Sequence, residues 1–191
     1  AKNRLIISQR LAADNPYSSG VDSAGYSDGY SGSSQEVISA SFYAAYTNKN
    51  AATAKLNPLS LVPLPNWRIT YDGFTKMNWS KKFFQNFQLT HSYRCTYNIN
   101  SFSTNLQYSD PFNTGHSPIR DLSNNFIPKY DIAQVSITES FSPLIGVDMT
   151  FKGKSQFNLR CELKRDRNLS LTYTGVQLTE IRGNEVSIGA G

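Results

Sequence analysis

The sequence predicts an all-β protein built from long antiparallel strands, and three observations carry that expectation. Residues 87–99 alternate without a break: Phe87, Leu89, His91, Tyr93, Cys95, Tyr97 and Ile99 form a mainly apolar parity against Gln88, Thr90, Ser92, Arg94, Thr96 and Asn98. That is the period of two shown by side chains on a pleated strand. Aromatic residues make up 13% of the chain and charged residues only 17%, beside abundant Ser, Thr and Asn, a mixture that favours strands and polar loops. The alternating runs also extend over nine to twenty residues, whereas soluble strands usually run about 5–6 and membrane-crossing strands about 9–11. A soluble sandwich and a transmembrane barrel both produce such alternation. Parity leaves the two open.

Composition narrows the function classes. No stretch approaches the roughly 18 consecutive apolar residues of a spanning helix. The net charge of +5 comes from basic residues scattered along the chain, without the single stripe that nucleic acid requires. Cys95 and Cys161 lack CxxC spacing, and with only His91 and His116 beside them they make a poor zinc set. Both cysteines lie on the apolar parity, where a free thiol behaves as a small hydrophobe; a disulfide stays open. No Ser/His/Asp constellation, carboxylate pair or glycine-rich phosphate loop can be located, so no enzyme, metal or other cofactor is expected. The opening AKNRLIISQRL lacks the apolar core and cleavage site of a leader, so the chain reads as cytosolic or as an internal piece of something larger.

Taken in order, residues 3–11 place Leu5, Ile7 and Leu11 on one parity and could begin a strand. Residues 14–33, rich in Gly, Ser and Tyr, have the composition of a long surface loop. Ser34 is positioned to cap a helix through Tyr46, because Ile38, Phe42, Ala45 and Tyr46 recur at helical spacing and Glu36 favours the first turn. This is the one short helix expected. Pro58, Pro63 and Pro65 interrupt pairing before the run Trp67-Arg68-Ile69-Thr70-Tyr71, and Asp72-Gly73 signals a reversal. After the long strand at 87–99 come a weaker one at 132–141, with Val135, Ile137 and Phe141 together, and another at 144–152, with Ile145, Val147, Met149 and Phe151 together. From 155 to 174, Phe157, Leu159, Cys161 and Leu163 and then Leu169, Leu171 and Tyr173 keep one parity through the charge run Lys164-Arg165-Asp166-Arg167. One long strand is favoured over a hairpin turning at Arg165–Asn168, because the parity survives the charges. The charge run reads as a solvated face or turn. On a lipid-facing parity, Arg165 and Arg167 would cost about 2–4 kcal/mol each at the bilayer midplane and near nothing at an interface, so they should mark a boundary.

The segments PLPNWRITYDGF, LTHSYRCTY, SPLIGVDMTF, RNLSL and QLTE, preceded by DGYSGSSQEV, follow one another in an order and spacing that resemble the C-terminal part of the SprA/Sov family, the outer-membrane translocon of the type IX secretion system in Bacteroidetes. The likeness covers most of the chain, and its most specific motif runs from Pro63 to Gly73. Phe74 and Cys95 depart from the family pattern. The resemblance implies an antiparallel segment of a very large transmembrane β-barrel, with a loop-rich region over 1–65 and barrel strands and hairpins over 66–191. Such a segment, cut from a larger barrel, should not fold alone, because two unpaired sheet edges are untenable in lipid.

The implied location is the bacterial outer membrane, and the implied activity is conduction of folded cargo proteins that bear a C-terminal secretion signal. The implied partners are those cargo proteins, a companion outer-membrane barrel, a periplasmic plug protein, a peptidyl-prolyl isomerase and outer-membrane lipid. On this view Arg94, Thr96, Asn98, Asp148, Asn158, Arg160 and Glu162 face a wet lumen, and Trp67, Tyr71, Tyr93, Tyr97 and Tyr173 serve as interface aromatics. The rival readings are a passive porin or gated nutrient receptor and a soluble glycan-binding β-domain using the Tyr-Gly-Ser loop.

Overall fold

Five strands in the order of the sequence, each hydrogen-bonded to the next, make one open antiparallel sheet. They are β1 (Trp67–Tyr71), β2 (Phe84–Thr104), β3 (Tyr130–Phe151), β4 (Asn158–Thr172) and β5 (Gln177–Ala190), preceded by helices α1 (Lys2–Asp14) and α2 (Gln35–Tyr46). This computed structural model describes residues 2–57, 66–153 and 156–191; Pro58, Pro63 and Pro65 lie outside them. No helix among the described residues is long and apolar enough to cross a membrane, which says nothing about crossing by strands.

The predicted long strand is longer still in the structure. The runs expected separately at 132–141 and 144–152 are one strand, β3, continuous through Pro143. Pro143 is a punctuation mark in sequence, yet it needs no turn where a ladder can spare one N–H. The charge run 164–167 is neither turn nor hairpin: β4 passes straight through it. At about 3.3 Å per residue, β2 and β3 are far longer than a strand of an ordinary sandwich.

The reversal after β1 differs from the tight turn that Asp72-Gly73 suggests. Residues 72–83 contain two short 3-10 turns, Gly73–Lys76 and Ser80–Lys82. The buried Ser80 hydroxyl is shared between the carbonyls of Phe74 and Met77, and Thr75 exchanges hydrogen bonds with the Phe87 backbone through its Oγ1. Beyond β1, the Asn66 side-chain carbonyl accepts the Cys95 N–H at 2.6 Å, so a side chain satisfies the β2 edge where β1 stops. The β4–β5 connection is tight, and its Gly175 has a positive φ of 76°, a backbone region open to glycine without a Cβ penalty.

The chain divides into two units, each assembled from separated stretches: residues 1–62, 99–135 and 171–177 form the first, and 63–98, 136–170 and 178–191 the second. The first break, between residues 62 and 63, lies near the boundary at residue 65 that the resemblance implies, and residues 99–135 and 171–177 return to the first unit.

In the first unit the expected opening strand is a helix. Leu5, Ile7 and Leu11 fit a period of two, but Ile7, Ser8 and Leu11, the residues α1 buries, lie on one helical face. The core joins Ile7 and Leu11 to Tyr30, Val37, Ala40, Ala44, Ala51, Ala54 and Phe126. Its four alanines give no bulk, so backbones approach closely around the Tyr30 and Phe126 rings, which stand 5.3 Å apart. Arg10 fixes the 51–54 turn by donating to the carbonyls of Ala51 and Ala54 at 2.7 and 2.8 Å. The helix expected over 34–46 is α2, with Ser34 Oγ accepting from Val37 N at its start. Its buried face keeps the expected Ile38 but is rotated from the rest: Val37, Ala40 and Ala44 enter the core while Ala45 is exposed, because the small residues permit closer packing than Phe42 and Tyr46 would. The Tyr-Gly-Ser stretch is also no simple surface loop. Tyr30 within it is 1% exposed, and its hydroxyl accepts from Asn15 Nδ2 at 2.8 Å.

Candidate functional site

The second unit is the chemically distinctive part, a sheet whose two faces differ in kind. Trp67 lies opposite Tyr93, the Tyr93 ring packs on Phe141 at 4.8 Å, and Phe151 N donates to Phe157 O. Odd-numbered residues of β1 to β4 therefore share one face, joined by Phe84 at the start of β2, whose ring packs on Phe87 and Phe151. Asn158 and Gly191 exchange both backbone hydrogen bonds, which sets Lys164 opposite Glu185, an ion pair at 3.0 Å. In that register the odd residues of β4 share their face with even residues of β5: Leu163 with Val186, Cys161 with Ile188, Arg167 with Arg182.

On this face the apolar residues form a band between two borders. At one border Phe74 stacks on Phe87 at 5.2 Å, Phe84 meets Phe151 at 4.9 Å and Phe151 meets Phe157 at 5.7 Å, with Trp79 edge-on to Phe84 and Phe87. At the other, Trp67, Tyr93 and Phe141 form a row with centroid spacings of 4.5 and 4.8 Å. A charged ladder continues that row across β3, β4 and β5. Tyr93 OH donates to Glu139 Oε1 at 2.9 Å, Arg167 reaches Glu139 at 3.3 Å and Glu180 at 2.7 Å, and Arg182 donates to Glu180 at 2.7 Å.

The interval between the borders is ten residues on β3, Phe141 to Phe151, and eight on β4, Phe157 to Arg165, because β3 has two residues more than β4 between the Ala133–Tyr173 and Phe151–Phe157 hydrogen bonds. Eight to ten residues rise about 26–33 Å along a strand, or about 19–23 Å along the normal for a tilt near 45°, against the ~25 Å apolar band of an outer-membrane barrel. Leu89, Ile145, Val147, Met149, Leu159, Cys161, Leu163, Val186 and Ile188 fill the interval. Among the described residues no second layer covers them: Ile145 is 56% and Ile188 72% exposed.

The opposite face is polar. Arg160 lies 3.5 Å from Asp148 and 2.5 Å from Glu162, and Thr150 Oγ1 donates to Asn158 Oδ1 at 2.8 Å. The structure thus gathers four predicted lumen residues, Asp148, Asn158, Arg160 and Glu162, into one patch on β3 and β4. Arg94, Thr96 and Asn98 share the polar parity on β2 but stand further along it, past the level of Tyr93. Ile181 is an apolar exception on this face, 64% exposed.

Of the predicted interface aromatics, Trp67 and Tyr93 lie in the second border, and Tyr71 packs edge-on against Phe74 at 5.0 Å in the first. Tyr97 lies four residues beyond Tyr93, outside the band. Tyr173 is a correction: it follows the end of β4 and belongs to the first unit, where its hydroxyl and Ser39 Oγ of α2 are 2.5 Å apart. Parity cannot place a residue once the strand has ended. His91 bonds the Leu144 carbonyl through Nδ1 at 2.7 Å and lies between the Trp67 and Phe141 rings, so its ring is structural. Cys95 and Cys161 are free thiols. Sequence reading missed Glu139, Glu180 and Arg182. The signal available for the first was a glutamate on an otherwise apolar parity.

The electrostatics of the first unit are of another kind. Arg120 grips Asp28 through two hydrogen bonds of 2.6 Å and lies over the Phe126 ring at 4.5 Å. The hydrogen bond from Arg120 is the main cause holding the Asp28 carboxyl below its usual range. Glu36 goes the other way: burial raises its carboxyl from 4.5 to about 7, outweighing the helix N-terminus that would favour its charged form. It lines a cavity of about 330 Å³ with Leu11, Leu56 and Ile132, and with Asp14, His116 and Lys129 as further charged or titratable groups.

A carboxyl raised on folding makes the folded state bind more protons than the unfolded one between these two values. Stability contributed by neutral Glu36 is therefore full below about pH 4.5 and lost as pH rises to about 7. Hydrogen exchange of the α2 amides should show protection falling by on the order of 2–3 kcal/mol from pH 4.5 to 8. Glu36→Gln should remove that slope and leave protection high at pH 8. Unchanged pH dependence in the variant would remove Glu36 as its source.

Among the described residues no group of three His, Cys, Asp or Glu side chains could hold a metal ion. No protein-family model matches the chain, and no curated protein matches it.

Proposed function

We propose that the sheet is a stretch of the wall of an outer-membrane protein-conducting barrel, with the aliphatic face toward lipid and the polar face toward a water-filled passage. The single observation that carries this reading is the uncovered apolar band, bordered on both sides by rings and charge at a separation that fits a bilayer. A soluble sandwich would bury such a face under a second sheet about 10 Å away. In lipid the sheet's free edges need further strands, because unpaired backbone groups cost several kcal/mol each there. The proposal therefore includes a larger barrel of which these strands form part.

Protein conduction, in place of solute passage, is supported by the SprA/Sov resemblance through the Pro63–Gly73 motif and the segments that follow it. The wall contributes geometry and no chemistry: hydrated side chains such as Arg160, Glu162 and Lys164 keep the passage wet, while the hydrocarbon-facing parity fixes the barrel in place. Folded cargo with a C-terminal signal would cross the lumen, and the companion barrel, plug protein and isomerase belong to the same proposal.

Spin labels at Leu159 and Arg160 test the orientation in the assembled barrel. The label at 159 should be relaxed by oxygen dissolved in lipid, and the label at 160 by a water-soluble nickel chelate. If both labels report one dry protein interior, the wall reading is lost. Conductance of the intact barrel, with and without its plug, separates protein passage from a small fixed pore.

A further inference from the structure

Among the described residues the charged border ladder leaves Arg165 unpaired. Glu139 and Glu180 neutralise Arg167 and Arg182. Arg165 projects on the same face, exposed, with no hydrogen bond or ion pair among the described residues. Its cross-strand neighbour on β5 in the register is Asn184, which carries no charge. Asp166 lies on the opposite parity, and together Arg165, Asp166 and Arg167 line a cleft of about 190 Å³ with Glu139 and Phe141.

On the outward face this border therefore holds three arginines against two glutamates. The surplus positive charge lies beside the Trp67, Tyr93 and Phe141 row, where rings with one apolar and one polar end favour the headgroup level. A free guanidinium at that level has a geometric match in a phosphate group, which its donor fork can engage through two hydrogen bonds.

We propose that the cleft between Arg165 and Arg167 binds the phosphate of an outer-membrane lipid headgroup, with Arg165 as the anchoring donor. This rests on the wall reading above. Asn184 offers an amide to a second phosphate oxygen, and the Phe141 ring meets the adjoining acyl region. The ion pairs to Glu139 and Glu180 hold the Arg167 side chain in place beneath the ligand, so only Arg165 reorients on binding. The site fixes one lipid at one height on the wall, as a non-covalent contact.

The test uses the assembled barrel in detergent, with retained lipid counted by native mass spectrometry. Phosphatidic acid is compared with a phosphate-free glycolipid of matched chains, and inorganic phosphate is the competitor. Phosphatidic acid should be retained in preference. Arg165→Gln should reduce its retention about tenfold, the loss of one charge-assisted bond, Arg165→Lys should restore part of it, and Lys49→Gln should leave it unchanged. Equal retention by Arg165→Gln, or no preference for the phosphorylated lipid, overturns the site. Displacement of lipid by stoichiometric inorganic phosphate would reassign the cleft to a free anion and overturn the lipid proposal. The Leu159 label separates the two levels: lipid exposure at 159 with an inert Arg165→Gln sinks the headgroup site alone, and a dry label at 159 sinks both readings.

Discussion

Arginine at Val147 should cost the assembled wall about 2–4 kcal/mol, the penalty of a cation facing lipid near the bilayer midplane. Val147 lies between the two borders of the apolar band and opposite Cys161 of β4, as far from either border as this face allows. Arginine at Thr150, on the polar parity of the same strand, should cost under about 1 kcal/mol, because it enters water beside Asn158 and Asp148. Reversible unfolding from bilayers, followed by Trp67 and Trp79 fluorescence, gives both values. Near-equal costs would mean that the faces do not differ in solvent. A larger penalty at Thr150 would mean that the assignment of faces is inverted.

Gly29→Ala should destabilise the first unit by about 3 kcal/mol or more, from two sources that add at one atom. Gly29 has a positive φ of 79°, which costs an alanine roughly 1–2 kcal/mol. A Cβ there would also fall within the Phe126 ring, and overpacking of a closed core typically costs a further 1–3 kcal/mol. Phe126 cannot retreat easily, since it packs on Tyr30 and carries the Arg120 guanidinium on its face. Hydrogen exchange of α1 and α2 should accelerate together, since both helices feed that core. In the double variant Gly29→Ala, Phe126→Leu the smaller side chain should recover part of the loss. Unchanged exchange in Gly29→Ala would show that the ring has room to move.

How much of this was legible depended on whether neighbours or the chain itself decided each element. β2 was legible because its two faces differ in kind along 87–99, so the period of two is written in full. α2 was legible for a local reason, the Ser34 cap and an acidic first turn. α1 was not, because Leu5, Ile7 and Leu11 satisfy two periods and the tie is broken by partners such as Ala51 and Phe126, far away in sequence. β5 hid for a related reason. Glu180, Arg182 and Asn184 interrupt its apolar parity, and their placement makes sense only beside Arg167 and Glu139 on other strands. The site was legible by face and not by level: parity separated Leu159 from Arg160, but the level of each residue across the sheet needed the register. Tyr173 was misplaced because extending a parity assumes that the strand continues.

The discontinuity of the first unit bears on how the chain reaches its shape. Ser39 must meet Tyr173, 134 positions later, and Asp28 must meet Arg120, 92 positions later. On a ribosome the helices would emerge long before the stretches that complete their surroundings. Contacts of such separation slow the search for the native arrangement, leaving Ile7, Val37 and Tyr30 wetted in the interim. A holdase that shields nascent apolar side chains would find its natural substrate in that half-made intermediate.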